Sequence, residues 1–181
     1  MTIRKLNEDT ITMTPEEALA SYLEVDVNDI SDEGDHLYDV GRQEWFVGTE
    51  DEAKARAIDE IKMLYDDMGL DAFTESFKQY ILNNCIDMSA VHDFVEEEID
   101  YFTNDEPDED MQNYLNNLTD EVEYVKDTLG PDTFEDWVKD KINKDEMAEE
   151  AIKKDGVAHF IAYYDGEEAD LGDGLYGYRM N

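Results

Sequence analysis

The residues best placed to do chemistry in this chain are carboxylates arranged in rows. Asp93, Glu96, Glu97 and Asp100 stand at i, i+3, i+4 and i+7, so on a helix all four share one face. Carboxylates four residues apart are separated by about 6 Å along the axis, because each residue rises about 1.5 Å. Such a row could attract cations, supply an acid–base pair, or present charge on the scale of successive phosphates in a nucleic acid strand. Like-charge pairs at this spacing cost about 0.2–0.5 kcal/mol each. No lysine or arginine stands nearby in sequence to relieve Asp93–Glu97 or Glu96–Asp100. The habit recurs: Asp120, Glu123 and Asp127 share a predicted face, and Asp132, Glu135, Asp136 and Asp140 form another set. Glu106, Asp108, Glu109 and Asp110 carry the charge through the intervening loop. One acidic row alone reads as a solvated helix face; repetition across three helices favours a surface with a task, since ordinary faces mix signs.

Other chemistry is weak. Asp29-Ile30-Ser31-Asp32-Glu33-Gly34 imitates the start of an EF-hand loop, but the eighth place is His36 and the twelfth is Val40 instead of a bidentate Glu, so no dedicated calcium site is expected. His36, His92 and His159 have no zinc-ligand spacing to one another or to Cys85. Cys85 is the single cysteine, flanked by Ile81, Leu82 and Ile86, and reads as a buried small hydrophobe in a reducing compartment. Phosphate loop, dinucleotide fingerprint and nucleophile elbow are absent. The expectation is therefore no enzyme, no cofactor and no metal. A small enzyme relying on a hidden carboxylate pair is the weakest of three functional readings.

The whole chain shares the charge bias. Its 181 residues hold 50 acidic and 14 basic side chains, a formal net charge of -36, yet 41% are hydrophobic and 11% aromatic. That apolar content suits a folded core, whereas a disordered acidic tail would be poor in it. The charge excludes phosphate-driven binding to nucleic acid and attraction to anionic membranes. A charge-selected partner is basic. Salt adaptation would also enrich acids, but Lys outnumbers Arg here, against the lysine depletion that explanation calls for. Arg4 and Lys5 precede no apolar run, and no stretch reaches membrane-span length, so a cytoplasmic protein is expected.

The elements that position these rows read as α+β in a single domain over residues 1–181. Thr14-Pro15-Glu16-Glu17 is a capping box opening a helix to about Leu23, with Leu19, Tyr22 and Leu23 inward. A polar loop runs through Gly34, then His36–Val40 and Glu44–Val47 form an early hairpin. A helical middle covers about 50–153. It opens at the capping box Thr49-Glu50-Asp51-Glu52, with a stripe of Ala57, Ile58, Ile61, Leu64, Tyr65 and Met68 stopped by Gly69. A helix over 72–83 follows, and Ser89 is the expected cap of the next, whose stripe is Val91, Phe94, Val95, Ile99 and Phe102. Met111, Leu115, Leu118, Val122, Val125 and Leu129 continue the period to Gly130-Pro131. Helices about Phe134–Ile142 and Asp145–Lys153 complete the middle. A β-meander over about 156–180 is predicted from Val157–Tyr164, Glu167–Leu171 and Leu175–Met180, turning at Asp165-Gly166 and Asp173-Gly174, and able to join the early hairpin in one sheet.

In size, charge and helical acidic faces such as Asp93–Asp100, the chain resembles the acidic DNA-mimic proteins that phages and mobile elements use against restriction, the Ocr and ArdA types. The stretch from Asp165-Gly166-Glu167 to Gly177-Tyr178-Arg179 also resembles the ends of phage proteins that carry no assigned chemistry. The first resemblance implies an inhibitor that occupies the DNA-binding groove of a host nuclease, restriction complex or other basic DNA-binding protein in the bacterial cytoplasm. Asp93, Glu96, Glu97, Asp100, Glu106, Asp108, Glu109 and Asp110 would stand in for phosphates, extended by Asp120, Glu123 and Asp127. A homodimer would lengthen the track. The alternative is an acidic adaptor that binds a basic protein outside its DNA site.

Overall fold

The computed structural model describes Met13–Asp105, Asn113 and Asp120–Asn181, with the side chains of residues 99–105 excepted. Two compact units divide the chain: Met1–Ile61 with Ala148–Asn181, and Lys62–Met147.

The first unit is built on five antiparallel strands, β1 (Ile30–Gly34), β2 (Leu37–Val40), β3 (Gln43–Gly48), β4 (Glu168–Gly172) and β5 (Leu175–Arg179), in the order β1-β2-β3-β5-β4. The early and late strands thus share one sheet, joined by β3 and β5. In β3, Trp45, Phe46 and Val47 are all buried, as expected of a strand covered on both faces. Trp45 and Val47 pack with Tyr38, Leu171, Leu175 and with Ala18 and Leu19 of α1 (Pro15–Leu23). Phe46 points oppositely, with Tyr178, Ala53 and Ala57 of α2 (Glu50–Met68) and Ile161 of α8 (Ala158–Ile161). Helices therefore cover both faces of the sheet, and the α+β class stands.

Local signals explain most element starts. Thr14 accepts a hydrogen bond from the Glu17 amide while Glu17 accepts from the Thr14 amide, a complete capping box. The Thr49 amide and hydroxyl both donate to Glu52 Oε2, at 2.8 and 2.9 Å. Gly48 makes this close approach possible, since a Cβ there would lie 3.1 Å from Glu52 Oε2 and 3.2 Å from its Cβ.

Three expectations are corrected here. Residues 30–34, read as loop, form β1, and the turn to β2 uses Asp35 and His36, both at positive φ (52° and 66°). That is the pattern of a primed turn without its usual glycine. Val157–Tyr164, read as a strand, contains α8, whose Phe160 and Ala162 amides donate to Val157 and Ala158 carbonyls. The late strands are thus a two-strand hairpin turning at Asp173-Gly174 (φ 50° and 77°), not a three-strand meander. Tyr22, Leu64 and Met68, read as inward, are 50%, 38% and 55% exposed.

The second unit is helical: the end of α2, then α3 (Glu75–Asn84), α4 (Met88–Asp105), α5 (Glu121–Leu129), α6 (Pro131–Lys139) and the start of α7 (Lys144–Asp155). Two connections are pinned together. The Asp87 amide donates to Lys141 O and the Asn143 amide to Cys85 O, both at 2.7 Å, around an antiparallel bridge of Ile86 and Ile142. Tyr65 is fully buried and its hydroxyl donates to Lys139 O at 3.3 Å.

Candidate functional site

Asp87, rather than Ser89, opens α4: its carboxylate accepts from the Ser89 amide at 3.0 Å and its carbonyl from the Ala90 amide at 3.1 Å. Val91 and Val95 are buried, and Phe94 meets Trp137 of α6 edge-on at 5.9 Å. Burying an aliphatic side chain is worth about 1.5–3 kcal/mol, so this stripe outweighs the like-charge cost of the opposite face. The fold dictates where α4 packs, and its carboxylates are what remains outside.

Asp93, Glu96 and Glu97 are exposed on that outer face, and Glu98 is half-buried at its edge. Among the described residues, none of these four has an ion-pair partner. The sequence explains why: between Lys78 and Lys126 there is no lysine or arginine. Asp100 continues the helix in register, its side chain outside the described residues. Glu106, Asp108, Glu109 and Asp110 also lie outside them.

The α5 set is less uniform than its spacing suggests. Asp120 lies before the helix, at φ -138° and ψ 90°, and caps it by accepting from the Glu123 amide at 3.0 Å. Glu123 lies 3.6 Å from Lys126 Nζ. Asp127 is exposed, with no ion-pair partner among the described residues. Of the helical period read across Met111–Leu129, Met111, Leu115 and Leu118 lie outside the described residues, and a helix starts at Glu121, signalled by the capping spacing Asp120-Glu121-Val122-Glu123. His92 Nδ1 of α4 sits 3.1 Å from Glu121 Oε2 of α5. That oxygen is buried without a hydrogen-bond partner among the described residues, so the contact has ion-pair distance without hydrogen-bond alignment. On α6, Asp132, Glu135 and Asp136 are exposed, as is Asp140 just beyond it.

Some carboxylates elsewhere are occupied. Lys144 pairs with Asp66 at 2.5 Å, Lys139 donates to Asp66 O, Lys62 pairs with Asp145, and Lys78 with Asp71. The lysines gathered around α2 and the start of α7, Lys62, Lys139 and Lys144, meet partners far away in the sequence and leave no mark in local spacing.

Perturbed titrations have structural causes. The Thr49 amide holds the Glu52 carboxyl below its usual range, and the Asn28 amide does the same for Asp26. Burial pushes Tyr38, Tyr65 and Tyr163 up to about 12, and raises Tyr178, whose hydroxyl donates to Glu168 at 2.5 Å. Among the described residues, no group of three or more His, Cys, Asp or Glu is arranged to hold a metal. The EF-like segment is strand β1, and Cys85 is buried. No helix among the described residues is long and apolar enough to cross a membrane. Comparison with family models, with curated proteins and with solved structures finds no match to this chain.

Proposed function

We propose that this chain is a phage-type DNA mimic, whose α4 carboxylates occupy the DNA-binding groove of a host nuclease, restriction complex or other basic DNA-binding protein. The observation that carries the reading is the exposed row Asp93, Glu96 and Glu97, without a cationic partner among the described residues. It lies in a segment from which lysine and arginine are absent. The helix backbone holds the charges in register before any partner arrives, which lessens the ordering left for binding. Complementary charge steers encounter and makes it salt-sensitive. Asp127 on α5 and the acids of α6 add to the same field; Asp120 and Glu123 contribute less, being engaged in a cap and a lysine contact.

The test is charge reversal. The combined variant Asp93→Lys, Glu96→Lys, Glu97→Lys should keep the fold, because all three side chains are exposed. Used as immobilised bait in a bacterial lysate at low salt, it should retain the wild-type partner at least ~100-fold more weakly, a loss of about 2.7 kcal/mol. Equal capture by the folded variant would remove α4 from the interface.

A further inference from the structure

One contact joins the helix of the acidic row to its neighbour, and it contains a titratable base. His92 is the only histidine, lysine or arginine between Lys78 and Lys126. Its Nδ1 stands 3.1 Å from Oε2 of Glu121, the first residue of α5, and the two side chains are 56% and 26% exposed. That oxygen is itself buried and has no hydrogen-bond partner among the described residues. A buried acceptor left without a donor costs about 1–3 kcal/mol, so the contact calls for a proton between the two atoms.

The chemistry of imidazole makes that proton conditional. A neutral ring carries one N–H, and with it on Nε2 the Nδ1 lone pair faces the carboxylate; an imidazolium carries N–H groups on both nitrogens. A small rotation of the half-exposed ring then aligns Nδ1–H with Oε2, and opposite charges strengthen the bond. The charged groups on the elements around His92 are mostly acids. On α4 these are Asp93 beside it and Glu96 one turn on, both exposed. Asp87, before α4, is held by the Ser89 amide. On α5, Glu123 stands by Lys126, and Tyr124 follows Glu121 by three residues. On α6, which α4 meets through Phe94 and Trp137, Asp132, Glu135 and Asp136 are exposed. Among the described residues Glu121 is the one carboxylate at ion-pair distance from His92.

We propose that His92 and Glu121 form a proton-operated tie between α4 and α5. In mild acid the imidazolium closes an ion pair that fastens the first turn of α5 to α4 and places a positive charge one turn from Glu96. As pH rises and the ring loses its proton, the tie opens and the row regains its full negative charge. The inference concerns the packing of two helices and holds whatever partner the row meets. Where the DNA-mimic reading also holds, mild acid weakens the grip on a basic groove.

A double-mutant cycle tests it. Wild type, His92→Gln, Glu121→Gln and the double variant are unfolded in urea at about pH 6 and about pH 8, on either side of the range in which imidazole titrates. The coupling between the two positions should be at least ~threefold in the unfolding equilibrium constant at the lower pH, the range of a partly exposed ion pair. It should fall towards unity at the higher pH, and shrink with added salt at the lower one. The cycle cancels the general effect of acid on so acidic a chain, which acts on all four proteins alike. A second cycle with His92→Asn guards against a glutamine that stands in for the imidazole. Coupling that is absent at the lower pH, equal at both, or larger at the higher would overturn the proposal, whereas a failed charge-reversal capture would bear on the α4 reading alone.

Discussion

Helices α2 and α4 are nearly the same length, 19 and 18 residues, and both are crowded with acids. They use several of them differently. On α2, Glu52 closes a capping box and lies 3.5 Å from His36, Glu60 pairs with Arg56 at 2.6 Å, and Asp66 pairs with Lys144. On α4, Asp93, Glu96 and Glu97 have no such partner among the described residues, and the only cationisable neighbour in the helix, His92, turns to Glu121. Glu52, Glu60 and Asp66 are structural parts of α2, whereas Asp93, Glu96 and Glu97 form an unneutralised row on α4. Helix stability gains nothing from the second arrangement, since like charges at i,i+4 oppose it. The lack of any lysine or arginine between Lys78 and Lys126, more than the total of -36, marks the α4 row.

The contrast can be sharpened by stability measurements whose signs differ between the helices. The largest effect belongs to the start of α2. Thr49→Ala should destabilise by about 1 kcal/mol in urea melts, the usual worth of a threonine cap. Because its folded carboxyl is held below the usual range by the Thr49 amide, Glu52 stabilises fully above the unfolded glutamate pKa. That contribution is lost as pH falls through the lowered folded value. The stability gap between wild type and Glu52→Gln should therefore close in acid, and a gap unchanged down to the acid transition would contradict the capping account.

Next comes α4, with the opposite sign. Glu97→Lys converts the repulsive Asp93–Glu97 spacing into an attractive acid-before-base pair and should stabilise by about 0.4–1 kcal/mol. A destabilised variant would mean that Glu97 has a structural partner after all. The smallest change is Arg56→Gln on α2, which removes an i,i+4 pair whose side chains are partly exposed (36% and 20%). It should cost about 0.3–0.5 kcal/mol.

Sequence periodicity was a good guide wherever local chemistry decides structure. Both threonine capping boxes, the stop of α2 before Gly69, the buried Val91 and Val95, and the Asp173-Gly174 hairpin were all legible. It failed where tertiary context decided. Asp35 and His36 adopt a turn that the residue types do not advertise, so residues 30–34 form β1 from a loop-like sequence. The alternation of Val157–Tyr164 suited a strand, but packing of Ile161 and Ala162 beside Phe46 and Tyr178 holds a helical turn. The outward direction of Asp93, Glu96 and Glu97 followed from the i, i+3, i+4 spacing opposite an apolar stripe. The capping role of Asp120 was hidden by a hydrophobic period that runs through a helix boundary.

Competition decides the central claim. The captured DNA-binding partner, held by this protein, should be titrated with duplex DNA while both associations are followed by anisotropy. The account predicts mutual exclusion, each ligand displacing the other in proportion to its concentration and both losing affinity as salt rises. A stable ternary complex of partner, DNA and this protein would contradict it, and would make the α4 row the contact of an adaptor that leaves the DNA site open.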